Sequence, residues 1–227
     1  MKLYVNGCSF CWGANLKDRE NEAFSFLLQK ELGCTLINDS KGGASNQEIL
    51  RRTLNTDLDD CFVIIGWTGI FRYEYCENIT DLAKKTIHYK WQGVLPSGTK
   101  NYNWPIEPID WYVVNFMNQV LALQNYLKYK NIPFFFFLSF EQIQEIMWDS
   151  QDPKTHKKNI SYNFNRYYKH IDKKTFPSLF NKDLIWTNYV DYTEGNGFNR
   201  SGGHPDKDNH REWADYLKES CNLEDYL

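Results

Sequence analysis

The chain has 227 residues, of which 42% are hydrophobic and 24% are charged, and its formal net charge is -3. This length and composition suit one globular domain with a real core, either alone or carrying a sizeable insertion. Lysines and arginines are scattered, so the clustered basic face of a nucleic-acid-binding protein is absent, and no uncharged apolar run approaches the roughly 18 residues that span a bilayer.

The first residues, Met1-Lys2-Leu3-Tyr4-Val5, predict a strand rather than the long apolar segment of a signal peptide. We therefore expect a cytoplasmic protein without a membrane partner. The six cysteines are spread along a chain of medium length. This spacing is not that of a disulfide scaffold, and reduced thiols are the expectation in the cytosol.

Strand and helix patterns alternate along the chain, which predicts a parallel sheet with helices on both faces. Strands are predicted at residues 3–5, 34–37, 61–65 (stopped by Gly66), 133–140 and 184–190. Helices are predicted at residues 20–32 (closed by Gly33), 46–58 (capped by Ser45 and Glu48), 111–130 and 206–217.

Two segments interrupt this alternation, near residues 86–110 and 149–183. The first carries aromatic residues among glycines and prolines, and the second is rich in Lys, Tyr and Asn. Long irregular connections in a compact domain are usually functional lids or mobile segments. We therefore predict one domain, residues 1–227, with two irregular insertions.

A serine follows the first predicted strand in Gly7-Cys8-Ser9. Open α/β sheets present side chains to ligands at the carboxyl ends of their strands, and N–H groups at a helix start stabilise negative charge. A candidate base, His204, stands near the other end of the chain in Gly203-His204-Pro205. Because a serine hydroxyl needs an adjacent base to act as a nucleophile, the prediction requires that these two distant segments meet.

Four segments, taken together, resemble the SGNH (GDSL-like) hydrolase superfamily. They are Gly7-Cys8-Ser9, Gly42-Gly43-Ala44-Ser45-Asn46, Gly66-Trp67-Thr68 and Ser201-Gly202-Gly203-His204-Pro205. Each lies at the end of a predicted strand or just before a helix, and from the first segment to the last they span nearly the whole chain. The resemblance implies a three-layer α/β/α sandwich with a five-stranded parallel, flavodoxin-like sheet.

The resemblance also implies roles for individual residues. Ser9 would be the nucleophile and His204 the general base. The backbone N–H groups of Ser9 and Gly43 and the hydroxyl of Thr68 would stabilise the oxyanion. Arg72 and Trp67 would contact the substrate.

Three residues depart from the superfamily motifs. Cys8 and Thr68 stand where aspartate and asparagine are usual, and Ser201 replaces the aspartate that would orient His204. Orientation of His204 could come from Ser201, from a backbone carbonyl, or from one of the two upstream carboxylates, Asp191 and Glu194. The remaining alternative is a Ser-His dyad.

Other residues near the motifs have simpler interpretations. Asp206 and Asp208 are expected to point away at the start of the last helix, and His210 to cap or pack within it. Arg72 and Glu74 have an alternative role as a surface pair. Cys8 and Cys11 match the spacing of a redox pair or of half a zinc site, but nothing completes a zinc set, and Cys8 is expected in the position of the family's aspartate.

The resemblance predicts a serine ester hydrolase that forms an acyl-serine intermediate and needs no metal or cofactor. The aromatic insertion favours a carbohydrate ester, and no nucleic acid is expected as a partner. Two other classes of protein stay open: an SGNH-fold binding module that has lost catalysis, and a flavodoxin-like nucleotide binder. The second would need a phosphate-binding loop, for which only residues 42–46 are a candidate.

Overall fold

The structure is a computed structural model, and it describes residues 1–81, 86–94, 109–139, 166–179 and 204–226. Its strands are β1 (Lys2–Gly7), β2 (Thr35–Asn38), β3 (Cys61–Trp67), β4 (Tyr73–Asp81), β5 (Thr86–Val94) and β6 (Phe134–Leu138). Its helices are α1 (Ser9–Trp12), α2 (Arg19–Glu22), α3 (Phe24–Leu32), α4 (Asn46–Leu54), α5 (Ile109–Tyr129) and α6 (Lys207–Ser220). The predicted strand at 184–190 lies outside the described residues.

Four strands form a parallel sheet in the order β2-β1-β3-β6. Alternate side chains of its central strands enter two separate cores, because successive residues of a strand point to opposite faces. One core contains side chains from α4 and α5, and the other contains side chains from α3 and α6. The predicted α/β fold with helices on both faces is therefore confirmed, with four strands in the described part of the sheet.

Two glycines allow α1 to lie directly on the sheet. Gly7 of β1 and Gly66 of β3 are partners in the strand register. A Cβ atom added to either glycine would lie 2.3 Å from Sγ of Cys11. The sequence predicts that Gly66 stops this strand, but β3 continues to Trp67. Gly66 instead makes room for the thiol of Cys11.

The first insertion begins with regular structure. Strands β4 and β5 pair antiparallel, from Tyr73 opposite Val94 to Asp81 opposite Thr86. The expectation of irregular chain from residue 86 is therefore wrong for residues 86–94. Residues 95–108 and most of the second insertion lie outside the described residues.

The predicted helix at 20–32 is divided in two. Ala23 is extended, with φ -75° and ψ 139°, so that α2 ends and α3 begins on either side of it. The N–H group of Phe24 donates to Nδ1 of His210 at 3.2 Å. A side chain from the far end of the chain thus satisfies one of the N–H groups at the start of α3 that have no partner within the helix, and Gly33 closes α3 in the left-handed conformation as predicted.

His210 is fully buried on α6 and stacks on the ring of Phe24, with 6.0 Å between ring centroids. Burial lowers the pKa of His210 from 6.5 to about 3, because a desolvated imidazolium is unfavourable. The neutral ring is therefore part of the core, as the packing interpretation expected.

This burial predicts an acid-dependent loss of stability. Below pH 6.5 the unfolded chain protonates His210 and the folded chain does not, so the free energy of unfolding falls until the pH reaches the folded value of about 3. For this group the loss between pH 7 and pH 5 is about 2 kcal/mol. In His210→Asn, which keeps an acceptor for Phe24 but does not titrate, urea unfolding should show a pH 7 to pH 5 loss smaller by this amount.

The matched control is His170→Asn, because His170 is exposed. Its loss of stability between pH 7 and pH 5 should equal that of the wild type. An equal loss in the wild type and in His210→Asn would contradict the assignment of acid sensitivity to His210.

Candidate functional site

The candidate site lies at the carboxyl edge of the parallel sheet. Strands β1, β3 and β6 end together there, with Gly7 beside Gly66 and Trp67 beside Leu138. The residues that follow these strands therefore lie side by side at one edge. This is the location at which α/β sheets bind ligands.

Ser9 is the first residue of the four-residue helix α1. Cys8 before it is extended, and the Cys8 and Ser9 carbonyls accept bonds from the N–H groups of Trp12 at 3.0 Å and Ala14 at 2.9 Å. The Ser9 residue is 6% exposed. A tight turn fixed against the sheet by Cys11 thus holds Ser9 just beyond the end of β1.

The side chain of Asn6 fixes the last residue of β1. Its Oδ1 accepts from the N–H group of Gly7 at 2.8 Å. Its Nδ2 donates to the Ile49 carbonyl at 3.1 Å and to Oγ1 of Thr53 at 2.9 Å, both on α4. This buried amide therefore ties the strand end that precedes Ser9 to the neighbouring helix.

His204 contacts the turn that carries Ser9, although 195 positions separate them in the sequence. Its ring lies edge-on to Phe10, with 5.5 Å between ring centroids. Its Nδ1 atom lies 3.3 Å from Nδ2 of Asn15. The structure thus brings the candidate base to the segment of the candidate nucleophile.

The carboxylates that follow His204 are directed elsewhere, as expected. Asp206 is the N-cap of α6 and accepts from the N–H groups of Asp208 and Asn209, each at 3.0 Å. The exposed Asp208 lies in the first turn of the same helix. The other candidates for orienting His204, which are Ser201, Asp191 and Glu194, lie outside the described residues.

Gly43 belongs to the loop between β2 and α4, and two hydrogen bonds join this loop to the end of β1. The N–H group of Asp39 donates to the Val5 carbonyl at 2.8 Å, and that of Lys41 donates to the Gly7 carbonyl at 3.1 Å. Gly43 has φ +77°, which favours glycine because it has no Cβ. The loop therefore passes the edge at which Ser9 lies.

Thr68 directly follows β3 and is 1% exposed. Its peptide group is held by Asn46, whose Oδ1 accepts from the Thr68 N–H at 2.8 Å and whose Nδ2 donates to the Thr68 carbonyl at 3.0 Å. In the described part of the chain, the Thr68 hydroxyl is buried without a hydrogen-bond partner. Such a group typically costs about 1–3 kcal/mol of stability, so the arrangement fixes the backbone of Thr68 and leaves its side-chain donor available.

The role of Asn46 is not apparent from the sequence. Its type and position as the first residue of α4, directly after the Ser45 cap, suggest only a helix start. The contact that matters is with a residue 22 positions away. Ser45 itself is confirmed as the cap, because its hydroxyl accepts from the Glu48 N–H at 3.1 Å, while the Glu48 carboxylate pairs with Lys41.

Trp67 and Arg72 have different surroundings. Trp67 is fully buried, and its ring meets Phe116 and Phe136 edge-on at 5.8 and 5.5 Å, so packing accounts for its side chain. Arg72 is half-buried in the turn after β3, at the same edge as Thr68. Its sequence neighbour Glu74 is not a surface residue, because it is buried in a two-bond ion pair with Arg51 of α4, at 2.9 and 3.0 Å.

The Cys-x-x-Cys segment is part of the core. Cys8 and Cys11 are fully buried free thiols. Burial raises the pKa of Cys11 well above its usual 9.0, which keeps the thiol protonated and works against redox chemistry. Within the described ranges, no group of three or more His, Cys, Asp or Glu residues is placed to hold a metal ion.

None of the helices in the described ranges is long and apolar enough to cross a membrane. No protein-family profile matches the sequence, and neither does any curated protein.

Solved structures of esterases share the fold. The psychrotrophic esterase EstA from Pseudoalteromonas sp., inhibited by monoethylphosphonate, is 13% identical over 98% of this chain and 97% of its own, with a TM-score of 0.50. The acetyl xylan esterase AlAXEase is 16% identical over 97% and 99%, with a TM-score of 0.50. A carbohydrate esterase family 2 enzyme with a carbohydrate binding domain, from Corynascus thermopiles, is 13% identical over 98% of this chain and 66% of its own, with a TM-score of 0.51.

At these identities the likeness concerns the fold. It agrees with the parallel sheet and the two helical layers. The chain therefore has the α/β/α fold of these esterases, and the fold predicted from its resemblance to SGNH hydrolases is confirmed.

Proposed function

We propose that this protein is a serine ester hydrolase in which Ser9 is the nucleophile and His204 the general base. The observation that carries the proposal is the contact of His204 with Phe10 and Asn15, which follow Ser9 in the same hydrogen-bonded turn. A serine at a strand end with a histidine beside it has the composition of a nucleophile and its base.

The reaction would begin when His204 accepts the proton of the Ser9 hydroxyl as Oγ attacks the carbonyl carbon of the ester. The electron pair of the carbonyl moves onto its oxygen and gives a tetrahedral oxyanion. Collapse of this intermediate breaks the bond to the leaving alcohol, which takes its proton from the imidazolium. Water then attacks the acyl-serine by the same steps and releases the carboxylic acid.

The oxyanion requires fixed hydrogen-bond donors. We assign this role to the N–H groups of Ser9 and Gly43 and to the Thr68 hydroxyl. The buried, unpartnered hydroxyl supports the assignment of Thr68, and the hydrogen bond from Lys41 to Gly7 supports that of Gly43. Arg72, in the turn that follows Thr68, is proposed to contact the substrate.

An O-acylated carbohydrate is the proposed substrate class. Trp12 of α1 is 39% exposed, and its ring is 4.0 Å from the position of a Cβ added to Gly42. Trp12, Arg19 and Asn38 border a depression of about 140 Å³ next to α1. The guanidinium of Arg19 lies over one face of this indole, 3.8 Å from the ring centroid. The exposed part of the indole and the polar groups of Arg19 and Asn38 would then meet the hydroxyl groups of a sugar, and two structural neighbours are named as carbohydrate or acetyl xylan esterases.

A serine-directed fluorophosphonate tests the nucleophile. We expect one adduct, located on Ser9 by peptide mass spectrometry, and none in Ser9→Ala. His204→Ala should slow labelling strongly because Ser9 loses its base. Ser25→Ala is the matched control, since Ser25 is also buried but lies on α3, and it should label like the wild type.

An adduct on another residue, or labelling that persists in Ser9→Ala, would contradict the proposal. A folded wild-type protein that neither labels nor hydrolyses p-nitrophenyl acetate would instead favour the binding module.

Thr68→Val should separate stability from activity. Loss of an oxyanion donor should lower kcat by about 10- to 1,000-fold. Loss of an unpartnered buried hydroxyl should leave the free energy of unfolding unchanged or raise it by about 1–2 kcal/mol. Both quantities are measured on the same preparation, by steady-state kinetics and by urea unfolding.

Thr53→Val is the control for stability. Thr53 is equally buried, but its hydroxyl donates to the Ile49 carbonyl at 2.8 Å and accepts from Asn6. This variant should therefore be less stable by about 1–3 kcal/mol. Unchanged kcat in Thr68→Val, or destabilisation equal to that of Thr53→Val, would show that the Thr68 hydroxyl is structural.

A further inference from the structure

His204 contacts a polar side chain, that of Asn15, which lies outside the four motifs. Nδ1 of its ring lies 3.3 Å from the side-chain amide of Asn15. In a Ser-His pair, the group at Nδ1 decides which ring nitrogen carries the proton, and so whether Nε2 can accept the proton of the serine. The aspartate expected to do this is replaced by Ser201.

We propose that Asn15 is a positioning residue for His204 and holds the ring through Nδ1, since the aspartate of the superfamily motif is replaced by Ser201 in this chain. The inference rests on the proposed function for its catalytic consequence. The contact between Asn15 and His204 stands apart from that function and can be tested separately.

Asn15 and Ser9 belong to one short, hydrogen-bonded segment. The N–H group of Ala14 donates to the Ser9 carbonyl at 2.9 Å, and Gly13 ends α1 in the left-handed conformation. Asn15 is also left-handed, with φ +70°, a conformation that asparagine tolerates better than most residues. The proposed nucleophile and positioning residue thus lie in the same turn, and His204 contacts Phe10 and Asn15 of that turn.

The amide of Asn15 can present either of two groups to the ring. With Nδ2 donating to Nδ1, the neutral ring carries its proton on Nε2 and cannot accept one there. Rotation of the amide by half a turn presents Oδ1, which accepts from Nδ1–H and leaves the lone pair of Nε2 for the Ser9 hydroxyl. The second arrangement is the reactive one, and formation of the imidazolium favours it because a charged Nδ1–H donor requires an acceptor.

A neutral amide stabilises the imidazolium less than a carboxylate does. Asn15→Asp should therefore move the acidic limb of the kcat/KM profile to higher pH by about 1 unit, since a nearby negative charge favours the protonated ring. Above this limb, kcat should equal or exceed that of the wild type.

Asn15→Gly removes the amide without straining a backbone at φ +70°. With p-nitrophenyl acetate as substrate, we expect kcat to fall by about 10- to 100-fold, a fraction of what general-base catalysis contributes, with KM changed by less than about twofold. Recovery of kcat in Asn15→Asp excludes a general failure to fold.

Asn131→Asp is the matched control. Asn131 is also exposed and left-handed, with φ +54°, but it lies in the turn between α5 and β6. The pH profile and kcat of this variant should equal those of the wild type.

The ring nitrogens of His204 give a readout that does not need activity. In protein labelled with ¹⁵N-histidine, Asn15→Asp should shift the neutral ring toward the form protonated on Nδ1, and Asn15→Gly should remove the bias seen in the wild type. If neither variant changes the nitrogen shifts of His204, the proposed contact is wrong.

The two proposals fail in different ways. If Ser9 is labelled by fluorophosphonate but Asn15→Gly keeps full kcat, the role of Asn15 is overturned and the proposed function stands. The same holds if Asp191→Asn, Glu194→Gln or Ser201→Ala abolishes activity while Asn15→Gly does not. If Ser9 is not labelled but the His204 shifts respond to both Asn15 variants, the contact is supported and the proposed function is overturned.

Discussion

The thiol of Cys11 packs against the backbones of two adjacent strands, and the position of the site depends on this contact. Only glycine fits at Gly7 and Gly66, because a Cβ at either position would lie 2.3 Å from the sulfur. Close packing of this kind allows little displacement, since protein interiors are as dense as organic crystals. Helix α1 therefore lies directly on the sheet, and Ser9 at its first position is held at the sheet edge.

Polar contacts fix the strand ends around this packed centre. The amide of Asn6 holds the N–H group of Gly7, and the amide of Asn46 holds both polar groups of the Thr68 peptide. Buried polar groups normally find partners, because leaving them unpaired is costly. The Thr68 hydroxyl is one of several buried polar groups that lack a partner within the described residues, and it is the one that follows a strand at the candidate site, where an oxyanion would satisfy it.

Much of the fold could be predicted from local patterns. Four of the five predicted strands lie in the described residues and all four are present, because runs such as residues 61–65 and 134–138 are apolar on both faces, as buried parallel strands are. Gly33 and Ser45 were predicted as helix caps and occupy those positions. In each case the signal lies within a few residues of the element that it predicts.

The differences between prediction and structure come from contacts between distant parts of the chain or from competing local patterns. The break at Ala23 depends on His210, and no local feature indicates it. Gly66 resembles a strand stop unless Cys11 is known to pack on it. Strand β5 was detectable, since apolar and polar residues alternate from Thr86 to Gln92, but the alternation of strands and helices elsewhere favoured a different interpretation.

The same limit applies to the candidate site. Ser9, Gly43, Thr68 and His204 were found through their motifs, and the described structure places their segments at one edge. Asn15 lies outside the motifs, and Asn46 ends the second motif without an expected role, because each contacts a residue far away in the sequence. Such partners become visible only when the chain is folded.

The most direct measurement is a crystal structure of the protein after reaction with a phosphonate ester, whose tetrahedral phosphorus mimics the proposed intermediate. We predict a phosphonyl group bonded to Oγ of Ser9, with one oxygen within hydrogen-bond distance of the Gly43 N–H and the Thr68 hydroxyl, and Nε2 of His204 facing the leaving-group side. A phosphonyl group on another residue, or one on Ser9 whose oxygens reach neither Gly43 nor Thr68, would contradict the account.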